Sequence, residues 1–148
     1  MLSVFSDDHY MGEALKEAQK AREEGEVPVG AVIVCESQII AKAYNQVERL
    51  TDPTAHAELL AITSASNYIG SKILEDCTLY VTLEPCPMCA GALFWSRIGK
   101  IVFGAADEKR GFSRVKPSLL HPSTALETGV RANECEQILN DFFKEIRK

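Results

Sequence analysis

Apolar residues recur with a helical period in four stretches of the chain, and the first two lie in its N-terminal half. The first stretch follows Asp7 and Asp8, which can start a helix, and it ends before Gly25, which is placed to stop it. Its apolar positions are Met11, Ala14, Leu15, Ala18 and Ala21. The second stretch extends from about residue 55 to 66 and is broken by Gly70. Two amphipathic helices are therefore predicted here.

The other two periodic stretches lie in the C-terminal half. One begins at Pro87, a residue suited to the first position of a helix, and runs to about residue 97. The other is preceded by Asn133 and Glu136, which resemble a capping box. Its apolar face consists of Cys135, Ile138, Leu139, Phe142 and Ile146.

Apolar runs rich in β-branched residues alternate with these helices and predict strands. Residues 29–34 and 39–44 are separated by a short turn and predict a hairpin. Residues 78–83 and 100–104 lie on either side of the third helix, and residues 128–130 are assigned to a short final strand.

The order of these elements predicts the fold class. A strand, a helix and a strand over residues 78–104 imply parallel pairing through a right-handed crossover. Helices alternating with strands favour an α/β fold, a three-layer α/β/α sandwich around a mixed sheet of about five strands. Residues 46–54 and 105–127 show no clear period and are predicted to be loops.

Length and composition limit the class of protein. The chain has 148 residues, 46% of them hydrophobic and 25% charged, which is typical of one soluble domain over residues 1–148. No apolar run approaches the roughly 18 residues of a membrane span. Residues 1–8 lack the basic start and apolar core of a signal peptide. We therefore expect a cytoplasmic protein with no membrane partner.

The charge pattern bears on nucleic-acid binding. The net charge of −5 argues against indiscriminate binding to nucleic acid. Residues 107–118, however, carry four basic against two acidic residues, and such a patch could hold a short stretch of phosphate backbone. Solvated surface charge is an equally good interpretation of so small a patch.

One histidine and two cysteines provide the candidate chemistry. His56, Cys86 and Cys89 can hold a zinc ion through three ligands and leave the fourth position open. A water molecule in that position has its pKa lowered from about 15.7 toward about 7. Glu58 is not needed as a ligand and can move protons. The pattern predicts a hydrolytic site for an amino-substituted ring.

Two other interpretations of the cysteine pair are weaker. A structural zinc site normally needs four closed ligands, and neither His9 nor His121 stands in a recognisable ligand pattern. A redox pair is weaker still. The three remaining cysteines are expected to be small core residues; they are Cys35, Cys77 and Cys135.

Helix geometry constrains how such a cluster forms. With Pro87 at the first helical position, Cys86 is the N-cap and Cys89 lies one turn further on. Both sulfurs then lie at the positive end of a helix, which favours thiolates. Because side chains two residues apart on a helix point about 200° away from each other, the metal must lie beyond the helix end that carries His56 and Glu58.

Several stretches together resemble a known family, the bacterial tRNA-specific adenosine deaminases. The resemblance covers roughly residues 7–107 and resumes at Phe142-Phe143-Lys144. The stretches that carry it are Glu26-Val27-Pro28-Val29-Gly30-Ala31-Val32, Ala55-His56-Ala57-Glu58, Leu83-Glu84-Pro85-Cys86 and Met88-Cys89-Ala90-Gly91-Ala92. After Asp107 the chain departs from the family's common Lys-Thr-Gly sequence.

The resemblance implies a cytidine deaminase-like fold and an activity: deamination of adenosine to inosine at the wobble position of a tRNA anticodon stem-loop, by a homodimer with one zinc ion per subunit. It implies that His56, Cys86 and Cys89 bind zinc and that Glu58 is the proton shuttle. It also implies substrate contacts from Asn45, Val27, Pro28, Asp107 and Phe143. From the residues alone, Asn45 could equally be a strand-end turn residue and Asp107 a loop acid.

Two rival functions share parts of this pattern. A free-base or nucleoside deaminase acting on guanine, cytosine or cytidine would have the same metal ligands and different pocket walls. A non-enzymatic binding module stabilised by zinc would have a closed fourth ligand and would release no ammonia.

Overall fold

The structure is a computed structural model that describes residues 5–147. Residues 1–4 and Lys148 lie outside the described residues. The prediction that residues 1–8 contain no signal peptide therefore concerns a segment that is only partly described. The helices are α1 (Asp7–Glu23), α2 (Val47–Leu50), α3 (Ala57–Ile69), α4 (Pro87–Ser96) and α5 (Ala132–Ile146). The strands are β1 (Gly30–Cys35), β2 (Gln38–Tyr44), β3 (Cys77–Leu83), β4 (Lys100–Ala105) and β5 (Ala125–Thr128).

The strands form one mixed sheet in the order β2-β1-β3-β4-β5. Strand β1 is antiparallel to both β2 and β3, whereas β3, β4 and β5 are parallel. The predicted fold class and the parallel pairing on either side of α4 are thus confirmed. Within residues 5–147, no helix has the length and apolar character needed to cross a bilayer.

The two faces of the sheet bury alternate residues of the same strands. Ile33, Leu79, Val81 and Ile101 pack with the small residues of α3 and α4 on one face. On the other face, the neighbouring residues on these strands pack with α1 and α5; they include Val32, Tyr80 and Val102. Because helices cover both faces, the central strands are apolar at nearly every position.

Close packing of α1 on the sheet depends on one glycine. A Cβ atom on Gly30 would lie 2.1 Å from the carbonyl oxygen of Ala14. Only a residue without a side chain lets the helix backbone approach β1 this closely.

Two predictions about the C-terminal part are wrong. The final strand is Ala125–Thr128 rather than residues 128–130, and all four of its residues are exposed, so no apolar pattern marks it. The N-cap of α5 is Arg131 with φ 54°, and no side chain caps the helix, so Asn133 and Glu136 form no capping box. The chain turns at Gly129 (φ 85°), and Arg131 instead donates hydrogen bonds to Glu134.

The two predicted loops contain short ordered elements. Residues 46–54 include the single turn of α2, and residues 105–127 include a 3₁₀ turn at Phe112–Arg114. Of the three cysteines expected in the core, Cys77 and Cys135 are buried, and Cys35 is half-buried opposite Cys77 on the neighbouring strand.

Candidate active site

A tight turn places His56 at the N-cap of α3. The backbone N–H and the hydroxyl of Thr54 both donate to Asp52 Oδ1, at 2.8 and 2.7 Å. His56 itself has extended backbone angles, φ −75° and ψ 150°, and its side chain makes no bond to its own helix. The imidazole therefore lies off the helix end, as the sequence predicts.

The two cysteines lie at the N-terminus of α4. Cys86 is the N-cap, Pro87 is the first helical residue, and Cys89 follows one turn later. Strand β3 ends at Leu83, so both sulfurs follow the carboxyl end of a central strand, where open α/β sheets commonly build their sites. Cys89 is fully buried and Cys86 is half-buried.

The three side chains converge on one point. His56 Nδ1 lies 3.7 Å from Cys86 Sγ and 3.4 Å from Cys89 Sγ, and the three ligand atoms all lie within 4.8 Å of one another. In a tetrahedral zinc site, with bonds of about 2.0–2.3 Å, neighbouring ligand atoms are separated by about 3.6 Å. One nitrogen and two sulfurs at these separations fit a zinc ion. Within the described residues, no fourth histidine, cysteine or carboxylate joins the cluster.

The hydrogen bond between the two thiols shifts their pKa values in opposite directions. The hydrogen bond from Cys89, and a second from His56, lower the pKa of Cys86 to about 4, although burial acts in the opposite direction. The same bond raises the pKa of Cys89, and burial raises it further. The hydrogen bond to Cys86 also raises the pKa of His56. Binding a divalent cation through both sulfurs therefore requires the release of the proton from Cys89.

Glu58 lies beside the cluster in the first turn of α3 and is only 4% exposed. Burial raises the pKa of its carboxyl group to about 7, and the nearby Cys86 and Cys89 have smaller effects. A carboxyl group with this pKa can both accept and donate a proton near neutral pH. The two-residue spacing thus places the His56 imidazole at the end of α3 and the buried Glu58 carboxyl group next to it.

Asn45 is buried at the end of β2, and its side-chain oxygen accepts a 2.8 Å hydrogen bond from the backbone N–H of Ala57. This bond fixes the amide so that its oxygen faces α3. The Asn45 backbone N–H donates to Val29 O at 3.1 Å, which places residues 27–28 next to it. Pro28 is buried, whereas Val27 is exposed.

Asp107 follows β4, and its Oδ1 accepts hydrogen bonds from the backbone N–H groups of Lys109 and Arg110, at 3.2 and 3.0 Å. The turn that results exposes a basic segment beside the cluster. A groove of about 520 Å³ is lined by Cys86, Met88, Lys109, Arg110 and Arg114, among others. The positive patch predicted over residues 107–118 therefore adjoins a cluster residue.

Phe143 is half-buried at the edge of α5 and packs against the core cluster that contains Phe112. Its ring lies 5.3 Å from that of Phe142, in an edge-to-face arrangement. Phe142 is buried, in keeping with its predicted place on the apolar face.

Sequence reasoning missed two buried acids. Glu26 is 2% exposed and accepts hydrogen bonds from the backbone N–H groups of Glu48 and Arg49, at 3.0 and 2.8 Å. Glu84 is 4% exposed and binds the segment after Asp107. The available signal was an acid directly beside an apolar stretch, since acids are seldom fully buried without partners.

A second groove, of about 690 Å³, lies between α1 and α5 and contains none of the cluster residues. Both acidic and basic side chains line it, including Glu13, Lys16, Arg22 and Asp141. Of these two grooves, only the smaller one, at α4, is lined by a residue of the cluster, Cys86.

A mixed α/β/α sandwich with this cluster at two helix ends, and a buried glutamate beside it, defines the class of hydrolytic deaminases with a cytidine deaminase-like fold. A sequence profile of that class, the cytidine and deoxycytidylate deaminase zinc-binding region, matches residues 5–105. The chain belongs to the tRNA-specific adenosine deaminase family within it, and it is an enzyme, because two relatives of that name are 50% and 48% identical to it over 96% and 95% of its length.

The relatives support this placement over nearly the whole chain. The tRNA-specific adenosine deaminase of Bacillus subtilis is 50% identical, with 96% of this chain and 91% of the relative covered. That of Aquifex aeolicus is 48% identical, with 95% of both chains covered. A solved structure from work on A-to-I editing by tRNA:A34 deaminases is 39% identical and has a TM-score of 0.83; the match covers 88% of this chain and 99% of the other.

Proposed function

We propose that the protein hydrolyses the amino group of adenosine at the wobble position of a tRNA anticodon, which yields inosine and ammonia. The observation that carries the proposal is the three-ligand cluster with Glu58 buried beside it, in a chain about half identical to tRNA-specific adenosine deaminases. In the reaction, the C6–N bond of adenine breaks and a C6–O bond forms from water.

His56, Cys86 and Cys89 would hold one zinc ion per subunit, because their nitrogen and sulfur donors are those that zinc prefers. The ion would supply the Lewis acidity that makes water nucleophilic at neutral pH. The helix N-termini at Cys86 and His56 add positive potential that favours anionic ligands.

Glu58 would act as the acid–base group. Its carboxylate would take one proton from the attacking water and deliver it to the ring nitrogen. It would then take the second proton from the oxygen now bonded to C6 and deliver it to the leaving amine, so that ammonia departs. The pKa of about 7 that burial gives this carboxyl suits both directions of transfer.

The remaining predicted residues would hold the nucleotide. The Asn45 amide, whose oxygen is engaged by α3, would present its N–H groups to the base, and Val27 and Pro28 would wall the pocket. Asp107 would lie near the sugar and Phe143 would stack on a neighbouring base. The basic groove at Lys109, Arg110 and Arg114 would hold phosphates, although the chain as a whole is acidic.

We further propose a cytoplasmic homodimer of single-domain chains. Helices α3 and α4 both begin at the cluster, and their last turns carry Tyr68 and Trp95, which are 69% and 78% exposed. Exposed tyrosine and tryptophan side chains are enriched at protein interfaces.

The test is incubation of the zinc-loaded chain with anticodon stem-loops that differ only in the wobble base, followed by assays for inosine and ammonia. Turnover is expected with adenosine at that position only. Free adenosine, guanine and cytosine serve as small substrates without RNA. Activity confined to free guanine or cytosine would replace this proposal with the free-base alternative.

A further inference from the structure

Glu84 lies between the end of β3 and the metal-ligand candidate Cys86, and its buried carboxylate binds a different part of the chain. Oε1 accepts a hydrogen bond from the backbone N–H of Asp107 at 3.0 Å. Oε2 accepts two from Ser113, from its backbone N–H at 3.0 Å and its hydroxyl at 2.6 Å. One side chain thus holds both ends of the segment 107–113.

Two further contacts fit this segment tightly against Glu84. The backbone N–H of Phe112 donates to Pro85 O at 2.9 Å. A Cβ atom on Gly111 would lie 2.2 Å from the Glu84 carboxyl carbon, so a residue with a side chain there would push the carboxylate away from its present position. Since Gly111 has φ −69°, this effect would come from close approach and not from backbone strain.

The segment held in this way carries the groups that face the groove at α4. Lys109 and Arg110 line the groove within a turn that is held by Asp107, and Arg114, which also lines the groove, follows directly after the segment. We propose that Glu84 is a positioning residue that fixes this substrate-facing segment relative to Cys86. The inference rests on the proposed function and adds to it the means by which the RNA-binding groups and the metal ligands keep a constant spacing.

The chemistry of the contact requires a carboxylate. All three donors point at acceptor oxygens, and glutamine would replace one oxygen with an NH₂ group that accepts nothing. Whichever way that amide turned, the backbone N–H of either Asp107 or Ser113 would face a donor. A buried N–H left in this state weakens the native arrangement of the segment.

The experiment compares the zinc-loaded protein with its Glu84→Gln variant by two measurements. Amide hydrogen exchange should accelerate by about 10-fold or more at Asp107 and Ser113, because one anchor is lost. KM for an adenosine anticodon stem-loop should rise by about 10-fold, while kcat changes by less than about 3-fold and zinc content stays constant. Glu17→Gln is the matched control, since Glu17 is equally buried on α1.

A second pair of variants keeps the inference testable if Glu84→Gln does not fold. Ser113 is exposed apart from its hydroxyl contact, so substitutions there leave the core intact. Ser113→Ala removes one hydrogen bond to Glu84 and should raise KM by about 3-fold, whereas Ser113→Thr keeps the hydroxyl and should restore the wild-type KM.

Unchanged exchange at Asp107 and Ser113 would overturn the anchoring role. Faster exchange with an unchanged KM, or an equal KM increase in Ser113→Ala and Ser113→Thr, would overturn the link to substrate binding. Failure of the proposed function is seen separately, because the wild-type protein would then form no inosine.

Discussion

The N-terminus of α1 is capped by the side chain of its own N-cap residue, whereas the N-cap side chains of α3 and α4 face the metal-ligand cluster instead. We call the first kind of helix end structural and the second kind chemical. Helix α1 begins in the usual way: Ser6 Oγ accepts a 3.1 Å hydrogen bond from the backbone N–H of His9, and two aspartates occupy the first turn. The N-caps of α3 and α4 are His56 and Cys86, and neither side chain caps its own helix.

Other groups take over the missing caps. Asn45, twelve positions before Ala57, accepts the first N–H of α3, and Pro87 has no N–H to satisfy at the start of α4. The N-cap side chains are therefore available to face each other as ligands. A capping side chain typically contributes about 0.5–2 kcal/mol. Asn45 supplies such a bond to α3 from outside the helix, whereas no side chain caps α4.

Replacing Cys86, the N-cap of α4, by a residue that caps the helix should have the largest effect on zinc content and deamination. In Cys86→Ser, the hydroxyl can cap the helix but is a poor ligand for zinc. We expect zinc content close to zero and deamination lowered by at least about 10³-fold. After removal of zinc by chelation from both proteins, the variant should be as stable as the wild type or about 1 kcal/mol more stable, in thermal unfolding. Zinc content equal to that of the wild type would contradict the ligand role of Cys86.

Removing the acid–base group should come next in size. Glu58→Ala is expected to lower kcat by about 10²–10⁴-fold with zinc content unchanged, because the proton relay is lost and the ligands remain. Single-turnover deamination and metal analysis measure the two effects. Glu134→Ala, which removes an exposed acid from the first turn of α5, is the control and should keep full activity. Full turnover by Glu58→Ala would remove Glu58 from the mechanism.

The α4 helix end could be predicted from the sequence because its signals are local. Pro87 fixes the first helical position, so the places of Cys86 and Cys89 follow within one turn. Strands β3 and β4, with β-branched residues on either side of that helix, also follow from short-range patterns. The convergence of His56 on this end was predicted as a geometric requirement of the metal and is confirmed by the distances.

The parts that could not be predicted depend on contacts between distant residues. Strand β5 has no alternation of apolar and polar residues because all four of its residues are exposed. It is held in the sheet by backbone hydrogen bonds, such as the one from Ala125 N–H to Gly99 O at 3.0 Å. The start of α5 depends on Arg131, which donates to the carbonyl of Asp8 at the other end of the chain. The apolar neighbours of Glu26 and Glu84 could have indicated burial, but nothing local shows that their carboxylates bind backbone groups more than twenty positions away.

Asn45 is proposed to have two roles, capping α3 through its side-chain oxygen and binding the substrate through its amide N–H groups, and two substitutions separate them. Asn45→Ala removes both, so the protein should lose about 1 kcal/mol of stability, and kcat/KM should fall by about 10-fold or more. Asn45→Asp keeps the oxygen that accepts the Ala57 N–H but loses the amide donors, so stability should be retained while kcat/KM still falls. Urea unfolding and initial rates on an anticodon stem-loop measure the two effects. Equal losses of stability in both variants would show that the oxygen does not cap α3.

The conventional cap of α1 should give the smallest effect and no effect on chemistry. Ser6→Ala removes the side-chain bond to the His9 N–H, so the free energy of unfolding should fall by about 1 kcal/mol. Ser6→Gly should lower it by only a few tenths of a kcal/mol, because glycine is tolerated at N-caps. Since α1 packs on the sheet face opposite α3 and α4, zinc content and kcat/KM should stay within about 2-fold of the wild type. If Ser6→Ala lowered kcat/KM by as much as Asn45→Ala does, a cap on the opposite face of the sheet would control the site. The distinction between the N-terminus of α1 and that of α3 would then be wrong.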